Sequence, residues 1–165
     1  MIAPRTWLAG IAALGLAAVG AALFTQYQLG MQPCPWCVLQ RVIFIAISIA
    51  ALLGLLLPGL ARRIAVGGVV LLTGCGAAAA LWQHFVAAAS ASCNLTLADR
   101  IVGGMKLDEH WPEVFMATAS CADAKVNLLG LPYEAWSLAL FVLIGVLALR
   151  LLLPNRGVRA SRGRG

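Results

Sequence analysis

Gln32 to Arg41 read QPCPWCVLQR. Cys34 and Cys37 enclose only Pro35 and Trp36, and Arg41 follows the second cysteine by four positions. A disulfide closing so small a loop adds little stability, because the entropic gain grows with loop size. Such a pair is better suited to exchange chemistry. Cys-x-x-Cys spacing lowers a cysteine's pKa, and a helix starting at the pair adds exposed N–H groups and the positive end of its dipole, which favour a thiolate. On that helix Cys37 and Arg41 share a face, where a permanent cation can hold a thiolate or another developing anion. The plainer role for Arg41 is an anchor that snorkels to lipid headgroups.

The chain holds five cysteines. Cys93 and Cys121 bracket a long segment, so a bridge between them is either structural, by limiting unfolded-loop entropy, or an accessible bond that another protein's thiolate attacks. Four thiolates could in principle make a tetrahedral zinc site. An oxidising compartment argues against four free thiolates and no second Cys-x-x-Cys occurs, so no metal is expected. Val38, not His, follows Cys37, which excludes the c-type haem motif. His84, in LWQHF, is either a hydrogen-bonded packing residue or a functional group at the depth of Cys37 and Arg41. Cys75, in TGCGAAAA, lies nine positions before His84, ~13.5 Å along a helix axis. That is too deep for the same chemistry, and a packing role between close helices is expected.

The elements that must position these residues are apolar. Of 165 residues, 62% are hydrophobic and 11% charged, against roughly 25% charged in soluble domains. Four stretches, about 7–25, 38–57, 64–86 and 133–153, approach or exceed the roughly 20 residues that span a hydrocarbon core. Backbone groups in lipid must be paired within the segment, so these are helices. The fold expected is an all-α membrane protein: a single four-helix transmembrane domain over 1–153, with outer connections at about 26–37 and 87–132 and a basic tail at 154–165. A secretory signal is the alternative for the first stretch, but its apolar run exceeds the roughly 7–15 residues of a signal core.

Charge sets the orientation. Arg5, Arg62, Arg63, Arg150, Arg156, Arg159, Arg162 and Arg164 belong to one side, and Arg41, Arg100, Lys106 and Lys125 to the other. The positive-inside rule then puts both termini in the cytoplasm and four cysteines outside, where disulfides persist. The net charge of +6 reflects this orientation and contact with anionic headgroups, and nucleic acid is not an expected partner. In the long outer connection Pro112 suits the first position of a short helix, whose Trp111, Val114 and Phe115 would face the membrane surface. The glycosylation-type triplet Asn94–Leu95–Thr96 is too common by chance to carry weight.

In order along most of the chain, CPWCVLQR, the WQH that ends the third helix, LDEHWPEVFMATASC and LLGLPYEAW resemble segments of the bacterial disulfide bond formation protein B (DsbB) family. The resemblance implies a multi-pass inner-membrane protein-disulfide:quinone oxidoreductase. Such an enzyme reoxidises a periplasmic DsbA-type thiol oxidase and passes the electrons to membrane quinone, ubiquinone or menaquinone. Position by position, it implies redox-active disulfides Cys34–Cys37 and Cys93–Cys121. Cys37 matches the sulfur facing the quinone, Arg41 the arginine that supports it, and His84 a histidine near that pocket. Cys93 matches the cysteine that forms a mixed disulfide with the partner, with Cys121 its companion. Family members often carry Leu at the position of Trp36, and the enterobacterial form has an acid where Gln40 stands; both differences bear on redox poise. A vitamin K epoxide reductase-like enzyme would place its Cys-x-x-Cys after the loop pair, the reverse of the order here. A structural scaffold would leave the Cys–Arg spacing without a purpose.

Overall fold

A computed structural model describes residues 4–89, 96–124 and 126–153. Cys93, Asn94, Lys125 and the basic tail 154–165 lie outside the described residues. In chain order the elements are α1 (Pro4–Leu29), α2 (Pro35–Leu56), α3 (Gly59–Phe85), a single 3-10 turn (Ala87–Ala89), α4 (Leu97–Gly104), α5 (Leu107–His110), α6 (Pro112–Phe115), β1 (Asn127–Leu128), β2 (Leu131–Pro132) and α7 (Tyr133–Leu152). Helices α1, α2, α3 with its following turn, and α7 are long and apolar enough to cross a membrane. The protein is a multi-pass, four-span helical bundle.

Three of the spans start earlier than the apolar stretches do. Helix α1, at 26 residues, measures ~39 Å at 1.5 Å per residue, beyond the ~30 Å of hydrocarbon. Its ends therefore sit in the interface, where hydropathy no longer marks them. Helix α2 begins at the thiol pair itself: Cys34 is its N-cap, with extended backbone (φ −87°, ψ 166°), and Pro35 opens the first turn, where a missing N–H costs nothing. Pro58 ends that helix by disfavouring helical backbone at Leu57.

The four spans close into a ring, α1 against α2, α2 against α3, α3 against α7, and α7 back against α1. Lipid offers helices no hydrophobic drive to associate, so close packing and interhelical hydrogen bonds must hold them. On the α1–α2 seam Ser48 Oγ donates to Ala12 O at 3.2 Å and to Phe44 O of its own helix at 2.9 Å, and Gly15 leaves the room this requires. On the α3–α7 seam a Cβ on Gly76 would overlap the Phe141 ring. That ring stacks on Phe44 of α2, with centroids 4.1 Å apart and planes 4° from parallel. The sequence-based expectation that Cys75 packs between helices is corrected here: its side chain is exposed and its neighbour Gly76 makes the contact. Successive helical residues point about 100° apart, so only one of the two can face Phe141.

The long outer segment is folded onto the bundle. Thr96 and Asp99 form a reciprocal capping box at the start of α4, satisfying two orphan donors at once. Helix α6 starts at Pro112, as its position suggests, but its faces are redistributed. Phe115 is buried with Val102 of α4 and Val38 of α2, Val114 packs against them, and Trp111 alone of the three is exposed. Leu129 and Gly130, both at positive φ, turn β1 into β2 as a tight two-residue hairpin.

Gly76→Leu should destabilise the α3–α7 seam by about 1–3 kcal/mol through overpacking, read as a lower unfolding midpoint in detergent. Cys75→Ser should leave that midpoint unchanged. Equal losses from the two substitutions would show that this seam is misplaced.

Candidate active site: three thiols above a cavity at the membrane rim

The N-terminal turn of α2 carries the site. Cys34 is fully buried, and its sulfur stands 2.8 Å from that of Cys37, both as free thiols. The Cys37 N–H donates to Cys34 Sγ at 3.4 Å, so the cap satisfies one of the helix's orphan donors. One turn on, Arg41 is buried to 5% exposure. Its Nη1 donates to Gln26 Oε1 of α1 and to the Val114 carbonyl of α6, each at 2.8 Å. Arg41 Nε has no partner among the described residues, which for a buried guanidinium nitrogen calls for an explanation.

The outer segment is tied down over this turn. Thr118 and Ala119 donate their N–H groups to the Pro33 carbonyl at 3.0 and 3.3 Å, and Tyr27 of α1 donates its hydroxyl to the Glu113 carbonyl at 2.7 Å. These ties bring Cys121, also buried, into the same buried cluster as Cys34, close enough for the two thiols to perturb each other. Hydrogen bonds to Cys121 and to Cys37, together with burial, push the Cys34 thiol far above the ordinary thiol range. The same Cys34 contact, acting as donor, holds Cys121 below that range against the opposing effect of its own burial. Of the two, burial and these contacts favour the neutral thiol at Cys34 and thiolate character at Cys121. Cys93 falls outside the described residues.

Beneath the thiols lies a cavity of about 240 Å³ enclosed by the four spans. Ala18, Ala21 and Ala22 of α1 leave the space, Phe44 and Leu140 give it apolar walls, and Cys37, Arg41, Gln40, Gln83, Tyr133 and Glu134 supply polar edges. His84 does not line it. Its ring nitrogen Nδ1 lies 2.7 Å from Glu134 Oε1, so it meets the cavity only through that carboxylate. A flat apolar ring bearing carbonyl oxygen fits these surroundings: the walls are apolar and Arg41 Nε is a buried donor without a partner.

Sequence reasoning gave Arg41 and Cys37 a common face and missed Glu134, Tyr133, Gln83 and Gln26. Glu134 carried a usable signal, since an isolated acid at the edge of a span is a functional candidate by default. Gln83 and Gln26 carried none, because polar residues near helix ends are ordinary and one chain does not reveal which of them point inward.

The sequence model of the family described as "Disulfide bond formation protein DsbB" matches residues 4–151. The chain belongs to the DsbB family. It is 35% identical over 143 residues to "Disulfide bond formation protein B 1" of Pseudomonas syringae pv. syringae, covering 86% of this chain and 85% of that protein. It is 37% identical over 165 residues to "Disulfide bond formation protein B" of Dechloromonas aromatica, covering 94% and 95%. A third relative of the same name, from Cupriavidus metallidurans, is 34% identical over 154 residues, covering 92% and 94%. Membership in the family gives this DsbB-family chain a disulfide-forming oxidoreductase role.

Alkylation of Cys121 in the reduced protein should reach half its maximal rate at a lower pH than an unperturbed thiol does, since the thiolate is the reacting form. Cys34→Ala removes the donor, so the midpoint should rise. Peptide-resolved mass spectrometry across pH measures both, and an unchanged midpoint in the variant would show that the two sulfurs do not meet.

Proposed function

We propose that the protein reoxidises a periplasmic DsbA-type thiol oxidase by disulfide exchange and passes the electrons to membrane quinone, ubiquinone or menaquinone. It thereby sustains disulfide formation in exported proteins, working in the bacterial inner membrane with both termini cytoplasmic. One observation carries this reading: Cys121 of the outer segment stands beside Cys34, and Cys37 faces a cavity between the spans. Sulfur chemistry that starts at the aqueous side thus has a continuous path into the membrane.

Exchange proceeds by attack of a thiolate on a disulfide sulfur. A partner thiolate attacks Cys93 of a Cys93–Cys121 bond, forming a mixed disulfide and releasing Cys121 as thiolate. The partner's second thiolate then displaces Cys93 and leaves as a disulfide. Cys121, aimed at Cys34, attacks that sulfur in the Cys34–Cys37 bond and expels Cys37 as thiolate into the cavity. Cys93 next attacks Cys121, restoring the outer bond and freeing Cys34, so the electron pair now rests on the Cys34–Cys37 dithiol. A quinone bound in the cavity would supply the two-electron sink that returns this pair to the disulfide. Arg41 would hold it through Nε and stabilise negative charge as it develops, in surroundings that exclude water. Tyr133 and Glu134 border the same space, with His84 behind the carboxylate.

Cys121→Ala should accumulate a mixed disulfide through Cys93 with a DsbA-type partner, resolved on non-reducing gels. If no adduct forms with any periplasmic thiol protein, the outer half of the scheme is wrong. Arg41→His should lower the rate of quinone reduction at least tenfold, about 1.4 kcal/mol or more of lost stabilisation, while the partner still forms its adduct. An unchanged rate would remove Arg41 from the acceptor site.

A further inference from the structure

Cys37 needs a hydrogen-bond donor when it carries charge, and Arg41 does not supply one directly. The guanidinium's Nη1 donates instead to Gln26 and Val114. The atom that reaches Cys37 Sγ is Nε2 of Gln83 on α3, at 3.2 Å. Gln83 is 5% exposed and Gln40 of α2 is 4% exposed, and Gln40 Nε2 donates to Gln83 Oε1 at 2.7 Å. A carboxamide has one accepting and one donating end. Gln40 occupies the accepting end of Gln83, which leaves the donating end for the sulfur.

We infer that Gln83 is the residue that stabilises the Cys37 thiolate, and that Gln40 is a positioning residue that locks the Gln83 amide in its donating orientation. This rests on the reading of Cys37 as the sulfur that releases electrons at the cavity. The choice of a neutral donor has a physical reason. Cys37 is anionic for only part of the cycle. A cation in direct contact would be left buried and unpaired each time the sulfur returned to a disulfide, which is the costly state for an ion pair. An amide bears the loss of its acceptor far more lightly. Arg41, already hydrogen-bonded to Gln26 and Val114, contributes its field without depending on the sulfur as an acceptor.

The test uses the purified, reduced, full-length protein in detergent, with iodoacetamide as probe and no quinone or thiol partner present. The alkylation rate of Cys37, resolved by peptide fragmentation, is followed across pH. Gln83→Met is close in volume, adds no charge and removes the donor; it should raise the midpoint by about one pH unit, the size expected from losing a hydrogen bond to a charged group. Gln40→Met frees the amide to turn and should raise it by less. The double variant should show no shift beyond that of Gln83→Met alone, because an effect routed through one residue does not add. Superimposable profiles for Gln83→Met and the unaltered protein would overturn the inference. A Gln40→Met shift that persists in full in the double variant would overturn the role given to Gln40; where Gln83→Met does not fold, a Gln40→Met profile that superimposes on that of the unaltered protein overturns it instead. Failure of the oxidase proposal would appear in turnover, which these profiles do not use.

Discussion

A guanidinium buried at the edge of a membrane must be solvated by protein, and much of the outer half of this molecule answers that demand. Removing such a group from water costs several kcal/mol even after relaxation, so acceptors have to be built around Arg41. They come from two directions: the Gln26 side chain on α1 and the Val114 carbonyl on α6. One cation thereby fastens a span to its neighbour and draws the outer segment down over the thiol turn. Nε is left buried without a partner among the described residues, on a side chain that lines the cavity. Arg41 is at once the clamp and, on the proposed reading, the site's principal charge.

The cavity is a consequence of how the spans pack. Where α1 and α2 cross, Gly15 and Ser48 allow near contact of backbones, and Phe44, Phe141 and Gly76 pack together at the centre. Toward the outer rim α1 presents Ala18, Ala21 and Ala22, whose side chains are too short to close the space. The same kind of small residue that lets helices approach in lipid leaves a void here, between α1 and the other spans that line the cavity. Phe44 belongs both to the packed centre and to the cavity wall, so the core below fixes the shape of the pocket above.

How much of this was legible in the sequence follows from the range of the interactions concerned. Cys34, Cys37 and Arg41 lie on one helical turn, where spacing dictates which side chains share a face. The four spans are written in hydropathy, a local property. The meeting of Cys121 with Cys34 is not local, because it depends on the carbonyl of Pro33 receiving Thr118 and Ala119, a backbone bond that no side-chain pattern announces. The Gln40–Gln83 pair joins α2 to α3 through neutral amides, and a glutamine near a helix end is unremarkable until its partner is known. Cys75 shows the converse: a stretch of small residues marks a packing helix without saying which side packs. The capping box at Thr96 and Asp99 was readable in principle, as Asp replaces the usual Glu three residues after the cap.

Cys34 has no solvent-exposed surface, whereas its neighbour Cys121 belongs to the segment that meets the aqueous side. On the proposed reading, small reductants and unfolded exported chains therefore have no direct line to Cys34, and exchange with that sulfur would pass through the molecule's own loop. The burial would then work as insulation, keeping stray reducing power out of the membrane and reserving the proposed circuit for a protein able to engage the outer cysteines.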